Sequence, residues 1–347
     1  MTLLALETSC DETSAAIVRD GRVLANVVSS QIKLHTEYGG VVPELAAREH
    51  LKNLLPVARA ALSDAGISPR ELEAVAATQG PGLGIALLIG LKAAQSFAFA
   101  LNKPFIGINH HEAHLYSPWI VGQPAVADFA AFQPNLSLIV SGGHTMLVLV
   151  ESELNHRVLG GTIDDAAGEC FDKTGKLLGL PYPAGPVIDR LAETGNPKAY
   201  AFPRPLLHEA NDDFSFSGLK TSVRYFVRDN PTLVDDPQKL RDLCASAQAA
   251  IVEVLVTKTI RAAERTGVRC VTASGGVSCN RALRKELARA CEKRGFTLRV
   301  AEPSLCTDNA AMIGILAERK WLHGVAPTPL DAEIHPGWQL AEVSQSP

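Results

Sequence analysis

The sequence predicts a duplicated α/β domain, two similar units in one chain. Three observations point there. The chain has 347 residues, long for one domain and enough for two hydrophobic cores. Each half opens with the same device: a strand, a polar turn and a second strand. These read LLAL–ETSCDETS–AAIV at residues 3–18 and LSLIVSGGHTMLVLV at 136–150. Beyond each hairpin, helical runs alternate with short apolar strands, the pattern of an α/β layer.

The elements follow in order. After the first hairpin, Gly21 makes a turn and RVLANVV (22–28) gives a third strand. Residues 44–62 carry apolar positions at helical spacing, with Gly66 beyond the end as a stop signal. VAATQGPGLG (75–84) reads as a short buried strand and a Gly/Pro turn, LLIGLKAAQSFAFAL (87–101) as a helix, and PFIGIN (104–109) as a strand that runs into three histidines. In the second half, DDAAGECFDKTGKLLGL (164–180) is helical, and the proline-rich residues 181–240 read as an irregular insertion. A long helix is expected over 241–266, a strand in VRCVTASGG (268–276), a helix in CNRALRKELARACEKRG (279–295), a strand in FTLRVAEP (296–303) and a last helix in NAAMIGILAERKWLHG (309–324). The expected domains are 1–118, completed by a helix at about 309–325, then 119–308, then a tail at 326–347.

Composition excludes several classes. Hydrophobic residues make up 46% and charged residues 20%, as in ordinary globular proteins, and the net charge is −4. A protein that grips nucleic acid alone is usually basic, so any RNA here is held by a local patch or with partners. Seven scattered cysteines without a CxxC argue against a disulfide framework and for a reducing compartment. MTLLALETSCDE lacks a basic n-region and meets Glu7 early, unlike a signal peptide. The apolar run Leu83 to Leu101 is broken by Lys92, Gln95 and Ser96 and is expected as a buried helix rather than a membrane span. A cytoplasmic protein with no membrane association is the expectation.

Four stretches carry candidate chemistry. In INHHEAHLY (108–116), His110 and His114 lie one helical turn apart, as two metal ligands require, while Glu112 is about 200° round from His110. That is not the HExxH of zinc proteases. Asp308 in CTDNA (306–310) is the best third ligand, able either to cap the last helix or to reach a metal. Two histidines and one carboxylate with open positions describe a catalytic site for Fe(II) or Zn(II). SGGHT (141–145) and SGGVSCN (274–280) are glycine loops whose backbone can approach a ligand; a plain hairpin turn is the simpler reading of the first taken alone, and a helix capped by Ser278 is compatible with the second. Paired loops of this kind would suit a nucleotide held between the halves. In IDDAAGECFDKTGK, Asp165, Glu169, Asp172 and Lys176 fall on one face, and Asp172 is the choice for ribose hydroxyls, with Gly185 and Asp189 as companions. Lys220, Arg224 and Arg228 form a basic ladder that reads most simply as the polar face of a helix.

Taken together, ETSCDETSAAIV, NHHEAHLYSP, SGGHTML, IDDAAGECFDKTGKLLGL, FSFSGLKT, SGGVSCNRALR and CTDNAAMIG resemble the tRNA adenosine threonylcarbamoyltransferase family. In bacteria it is called TsaD, and it was once described as an O-sialoglycoprotein endopeptidase. The seven motifs occur in family order over residues 3–325. The resemblance implies an actin-like ATPase and sugar-kinase (RNase H-like) fold, two duplicated domains around a central cleft. It implies transfer of threonylcarbamoyl from L-threonylcarbamoyl-adenylate to the exocyclic amine of the adenosine beside the anticodon, in tRNAs reading codons that begin with A, with AMP released. It places metal ligands on His110, His114 and Asp308. It places substrate contacts on Ile139, Val140, Ser141, Gly142 and Gly143, and adenylate contacts on Asp172, Gly185, Asp189 and Asn280. It implies one divalent metal, Fe(II) or Zn(II), and TsaB-like and TsaE-like partner proteins besides tRNA. Asp11 or Glu12 in the first turn is the candidate acceptor of the amine proton. The rival readings are a metal-dependent endopeptidase, which lacks its general-base glutamate, an ATP-dependent small-molecule kinase, which leaves the histidine pair without a task, and a non-catalytic nucleotide-sensing scaffold.

Overall fold

A computed structural model describes residues 1–343. The chain divides into two compact units, one formed by Met1–Phe132 and the segment from Ala301 on, the other by Gln133–Val300.

The first unit is built on a buried antiparallel meander: β1 (Thr2–Glu7), β2 (Glu12–Arg19) and β3 (Arg22–Ser30). Asp20 and Gly21, both at positive φ (49° and 73°), make the tight turn between β2 and β3 that right-handed strand twist favours. A short helix α1 (Ile32–Thr36) leads to α2 (Pro43–Ala65), which starts on proline and stops at Gly66 in the left-handed region. Then β4 (Ala74–Gly80) pairs parallel with β1, α3 (Gly84–Leu101) crosses over, and β5 (Phe105–Asn109) pairs parallel with β4. Helix α4 (His110–Tyr116) starts where β5 ends. The small pair β6 (Ile120–Val121) and β7 (Val126–Ala127) closes the far edge, giving the order β5-β4-β1-β2-β3-β7-β6.

The second unit repeats the plan. β8 (Asn135–Val140), β9 (Thr145–Ser152) and β10 (Asn155–Gly161) form the meander. Helices α5 (Ala167–Leu177), α6 (Ala184–Ala192), α7 (Ser217–Asp229) and α8 (Pro237–Thr266) follow, and α8 is the core helix of the unit. β11 (Cys270–Ser274) pairs parallel with β8, α9 (Arg281–Arg294) crosses over, and β12 (Thr297–Val300) pairs parallel with β11. The order β10-β9-β8-β11-β12 is the first unit's β3-β2-β1-β4-β5 with the same strand directions, so the duplication is one of topology. The chain then returns to the first unit through α10 (Pro303–Cys306), α11 (Ala310–Leu322) and α12 (Leu340–Val343). α11 lies close against β1 and β2: a Cβ on Gly314 would stand 2.7 Å from Val18 and 3.2 Å from Ala5.

Five expectations need correction. The first unit runs to Phe132 rather than 118, and it regains the chain at Ala301. Asp308 therefore belongs to the first unit, not to the second, because α11 packs on the first sheet and carries its N-terminal turn with it. The stretch 181–240 is not irregular: it holds α6 and α7, and α8 begins at Pro237. Its loop is pinned by cations of α8, with Lys258 and Arg261 donating to the Asn211 carbonyl and Arg265 paired with Asp212. The described part of the 326–347 segment is packed rather than a loose tail. Thr328 pairs with Phe105, His335 with Gln79, and the Trp338 carbonyl with Asn109. Finally, α3 buries only one face. Ile85, Leu88 and Phe99 stay exposed, as do Leu51 and Leu55 of α2.

Candidate metal centre and glycine loops

The metal candidates come from two places in the first unit. β5 ends on Asn109, whose side chain caps α4 by accepting the Glu112 N–H, so helix geometry starts at His110. One turn separates His110 from His114 and puts both rings on one face. In the second place, between α10 and α11, the N-cap of α11 is Asn309, which accepts the Met312 N–H. Asp308 is thus relieved of capping, and its Oδ1 stands 3.3 Å from Nε2 of His110 and 3.3 Å from Nε2 of His114. The three donor atoms lie within 4.8 Å of one another. Bonds of about 2.0–2.1 Å in a tetrahedral site put ligand atoms roughly 3.3 Å apart, so these residues fit a divalent cation. The cluster is buried except for Asp308, whose side chain is 21% exposed.

The electrostatics agree with that fit. Burial opposes charge on His110, but Asp308 and Glu7 outweigh it and hold the imidazole well above its ordinary pKa. Burial likewise opposes ionisation of Asp308, and the two histidines reverse this, holding the carboxyl well below its ordinary value. His110 also lies 3.0 Å from Glu7 through Nδ1. Glu112 turns away and pairs with Lys320 of α11 at 2.8 Å, the two side chains 1% and 12% exposed. It has a structural partner and no place beside the histidine–aspartate cluster. His111 is buried, and it is not part of the cluster. In the first turn, burial and then the neighbouring Asp11 and Asp308 push Glu12 well above the ordinary carboxylate range, and Ser30 donates to it.

In the second unit, β8 and β11 are parallel neighbours and both run into Ser-Gly-Gly. Ile139 and Val140 are buried in β8, and the SGGHT and SGGVSCN loops leave the sheet side by side. Gly275, at φ +87°, passes so close that a Cβ there would stand 2.4 Å from the Val140 carbonyl. Ser141 holds the first loop by accepting the His144 N–H, and its carbonyl accepts the Gly168 N–H from the first turn of α5. Gly142 and Gly143 are exposed with open space around them. This is the position at the carboxyl ends of parallel strands where α/β sheets bind ligands.

The remaining candidates join that region. Asp172 of α5 accepts the Ala184 N–H at 2.7 Å and that of Gly185, tying α5 to the start of α6. Burial still leaves its carboxyl above the usual range. Asp189 of α6 pairs with Arg281 at 2.8 Å, directly beside Asn280. Asn280, and not Ser278, caps α9: its carbonyl oxygen accepts the Leu283 N–H, and its amide donates to Gln248.

A family model described as TsaD, tRNA N6-adenosine threonylcarbamoyltransferase, matches residues 22–315. The chain belongs to the tRNA N6-adenosine threonylcarbamoyltransferase family. Curated relatives bearing that name include proteins of Geotalea uraniireducens and Chloroherpeton thalassium. The first is 48% identical over 345 residues, covering 99% of this chain and 98% of the relative. The second is 51% identical over 353 residues, covering 99% of each. Among solved structures, component A of the Acidaminococcus fermentans (R)-2-hydroxyglutaryl-CoA dehydratase aligns with a TM-score of 0.54 at 16% identity, over 92% of this chain and 98% of that one. That likeness concerns fold alone. The α/β, actin-like architecture expected of a threonylcarbamoyltransferase is the one observed.

The structure brings His110, His114 and Asp308 together, and separately gathers Ile139 to Gly143, Asp172, Gly185, Asp189 and Asn280 in the second unit. Glu7, Ser9 and Thr78 around His110 were not singled out from sequence. No spacing could reveal them, because they reach His110 only through sheet neighbours.

Proposed function

We propose that this chain transfers threonylcarbamoyl from threonylcarbamoyl-adenylate to N6 of the adenosine 3′ to the anticodon, in tRNAs reading codons that begin with A. The observation that carries the reading is the convergence of two imidazole Nε2 atoms on Asp308 in a chain about half identical, over full length, to enzymes named for that reaction.

The adenine amine forms a bond to the carbamoyl carbon, the bond from that carbon to phosphate oxygen breaks, AMP leaves, and the amine proton passes to a base. The amine is a weak nucleophile, so the acyl carbon must be polarised. The N–H groups of Gly142 and Gly143 would stabilise negative charge that develops on oxygen. Asp172, Gly185, Asp189 and Asn280 hold the adenylate. His110, His114 and Asp308 would hold Fe(II) or Zn(II), which supplies a Lewis acid for acyl or phosphoryl oxygen. Glu12, made more basic by burial and by its acidic neighbours, or Asp11 beside it, accepts the amine proton.

The tRNA is engaged with the help of a TsaB-like and a TsaE-like protein. The exposed apolar side chains of α2 and α3, Leu51, Leu55, Ile85, Leu88 and Phe99, suit the TsaB-like one. The tRNA substrate and the seven free thiols suit a reducing, cytoplasmic location.

The test is reconstitution: the purified chain, its two partners, a tRNA transcript and the adenylate, with nucleosides analysed by mass spectrometry. Threonylcarbamoyladenosine that depends on this chain and on Asp308 supports the reading. Peptide cleavage or a phosphorylated small molecule, with no modified nucleoside, overturns it in favour of the endopeptidase or the kinase.

A further inference from the structure

We infer that Glu7 is the positioning residue of the metal centre, fixing His110 with Nδ1 protonated and Nε2 directed at the ion. The inference deepens the metal reading above and rests on it.

Glu7 is the last residue of β1 and is fully buried. A carboxylate taken out of water needs partners for its lone pairs, and three groups surround this one. The Ser9 backbone N–H donates to Oε1, the Thr78 hydroxyl donates to Oε2, and His110 Nδ1 lies 3.0 Å from Oε2. An ionised carboxylate only accepts, so the proton in the last contact sits on Nδ1. That keeps the proton on Nδ1 and leaves Nε2, 3.3 Å from Asp308, as the nitrogen on which a cation would replace a proton. The Thr78 and Ser9 bonds hold the carboxylate still, so the ring is held by a group that is itself held.

The two histidines differ in this respect. Among the described residues, Nδ1 of His114 is buried with no hydrogen-bond partner. The centre is therefore lopsided: one imidazole is oriented and made more electron-rich by a carboxylate, while the other depends on its rotamer in α4. A carboxylate behind a ligating histidine strengthens the ligand, and its loss typically weakens metal binding by about 10- to 100-fold. A Glu7 that merely tied β1 to β4 through Thr78 would leave metal affinity and ring tautomer unaffected by its removal.

The test uses the full-length chain, stripped of metal and titrated with Co(II) and Zn(II), as wild type, Glu7→Gln, Glu7→Ala and Asp308→Ala. Thermal melts check folding. Long-range proton–nitrogen spectra of the zinc-loaded wild type assign the rings. The expected result is Co(II) binding about tenfold weaker in Glu7→Gln and approaching a hundredfold weaker in Glu7→Ala, with His110 carrying Nδ1–H and bound through Nε2. Undiminished Co(II) affinity in both folded Glu7 variants, while Asp308→Ala loses it, overturns the inference and leaves the metal site standing. Equal binding, or none, in wild type and Asp308→Ala overturns the metal reading itself. If the Glu7 variants do not fold, the wild-type spectrum decides: metal on Nδ1 of His110 sinks the proposal.

Discussion

Gly168 is the position where a single methyl group tests how the glycine loop is built. It is the second residue of α5, and its N–H donates to the Ser141 carbonyl. A Cβ there would stand 2.5 Å from the Ser141 oxygen, 2.7 Å from Gly142 Cα and 2.9 Å from Gly142 N. All three are backbone atoms, and ordinary contact begins at 3.4 Å, so Gly168→Ala forces a displacement of about 0.9 Å (3.4 − 2.5). Alanine is the better helix former by about 0.5–1 kcal/mol, whereas overpacking costs about 1–3 kcal/mol, so sterics win and the variant melts a few degrees lower. Activity should suffer more than stability. A misplacement near 1 Å costs about 100-fold in rate, so kcat/KM for threonylcarbamoyl transfer should fall roughly 30- to 100-fold. Gly143→Ala is the matched control for folding, because nothing lies within 4 Å of its added methyl, and it should melt like wild type. Steady-state transfer kinetics with thermal melts provide the assay. A Gly168→Ala protein with wild-type kcat/KM would refute the claim that this loop is set by its fit on α5.

Other outcomes follow from the same geometry. Lys320→Met leaves the Glu112 carboxylate buried without its cation and should cost about 3–5 kcal/mol in denaturant unfolding, most of it recovered in the Glu112→Gln/Lys320→Met double variant. Asp164 accepts from the Ser215 and Ser217 hydroxyls and from the Phe216 and Ser217 N–H groups; burial raises its pKa, but these donors outweigh it and hold it below its ordinary value. Its stabilisation is therefore present above the unfolded value near pH 4 and is lost as pH falls through the lower folded pKa. Asp164→Ala should be about 1–2 kcal/mol less stable at pH 7, a gap that closes in strongly acidic solution. Ending the chain at Val325 removes the Thr328 hydroxyl from the Gly107 N–H and the Trp338 carbonyl from Asn109, so hydrogen exchange at Gly107 and through α4 should accelerate.

Much of this architecture was legible in the residues. Alternating apolar strands around polar turns gave both hairpins, because burial on a sheet writes itself into local sequence. The i,i+4 spacing of His110 and His114 gave their shared face for the same reason. What failed was long-range. α11 was expected on the first unit, but the boundary was drawn at its first turn, whereas the chain already rejoins that unit at Ala301, so Asp308 fell on the wrong side. Asp308 and Asn309 are both good caps, and only the backbone at Asn309 decides which one caps and which one is left to meet the histidines. Prolines over 181–240 masked α6 and α7, short helices with narrow apolar faces. Glu7 lies 103 residues from His110 and meets it because β1, β4 and β5 are parallel neighbours. The adenylate set Asp172, Gly185, Asp189 and Asn280 came from family resemblance; hydrogen bonding ties Asp172 to Gly185 and sets Asp189 beside Asn280.

The most direct check is anomalous diffraction at the cobalt edge from crystals of the Co(II)-loaded protein. The account predicts one strong peak about 2.0–2.2 Å from Nε2 of His110, Nε2 of His114 and an oxygen of Asp308. A peak elsewhere, or bonded to only one of these side chains, would contradict it.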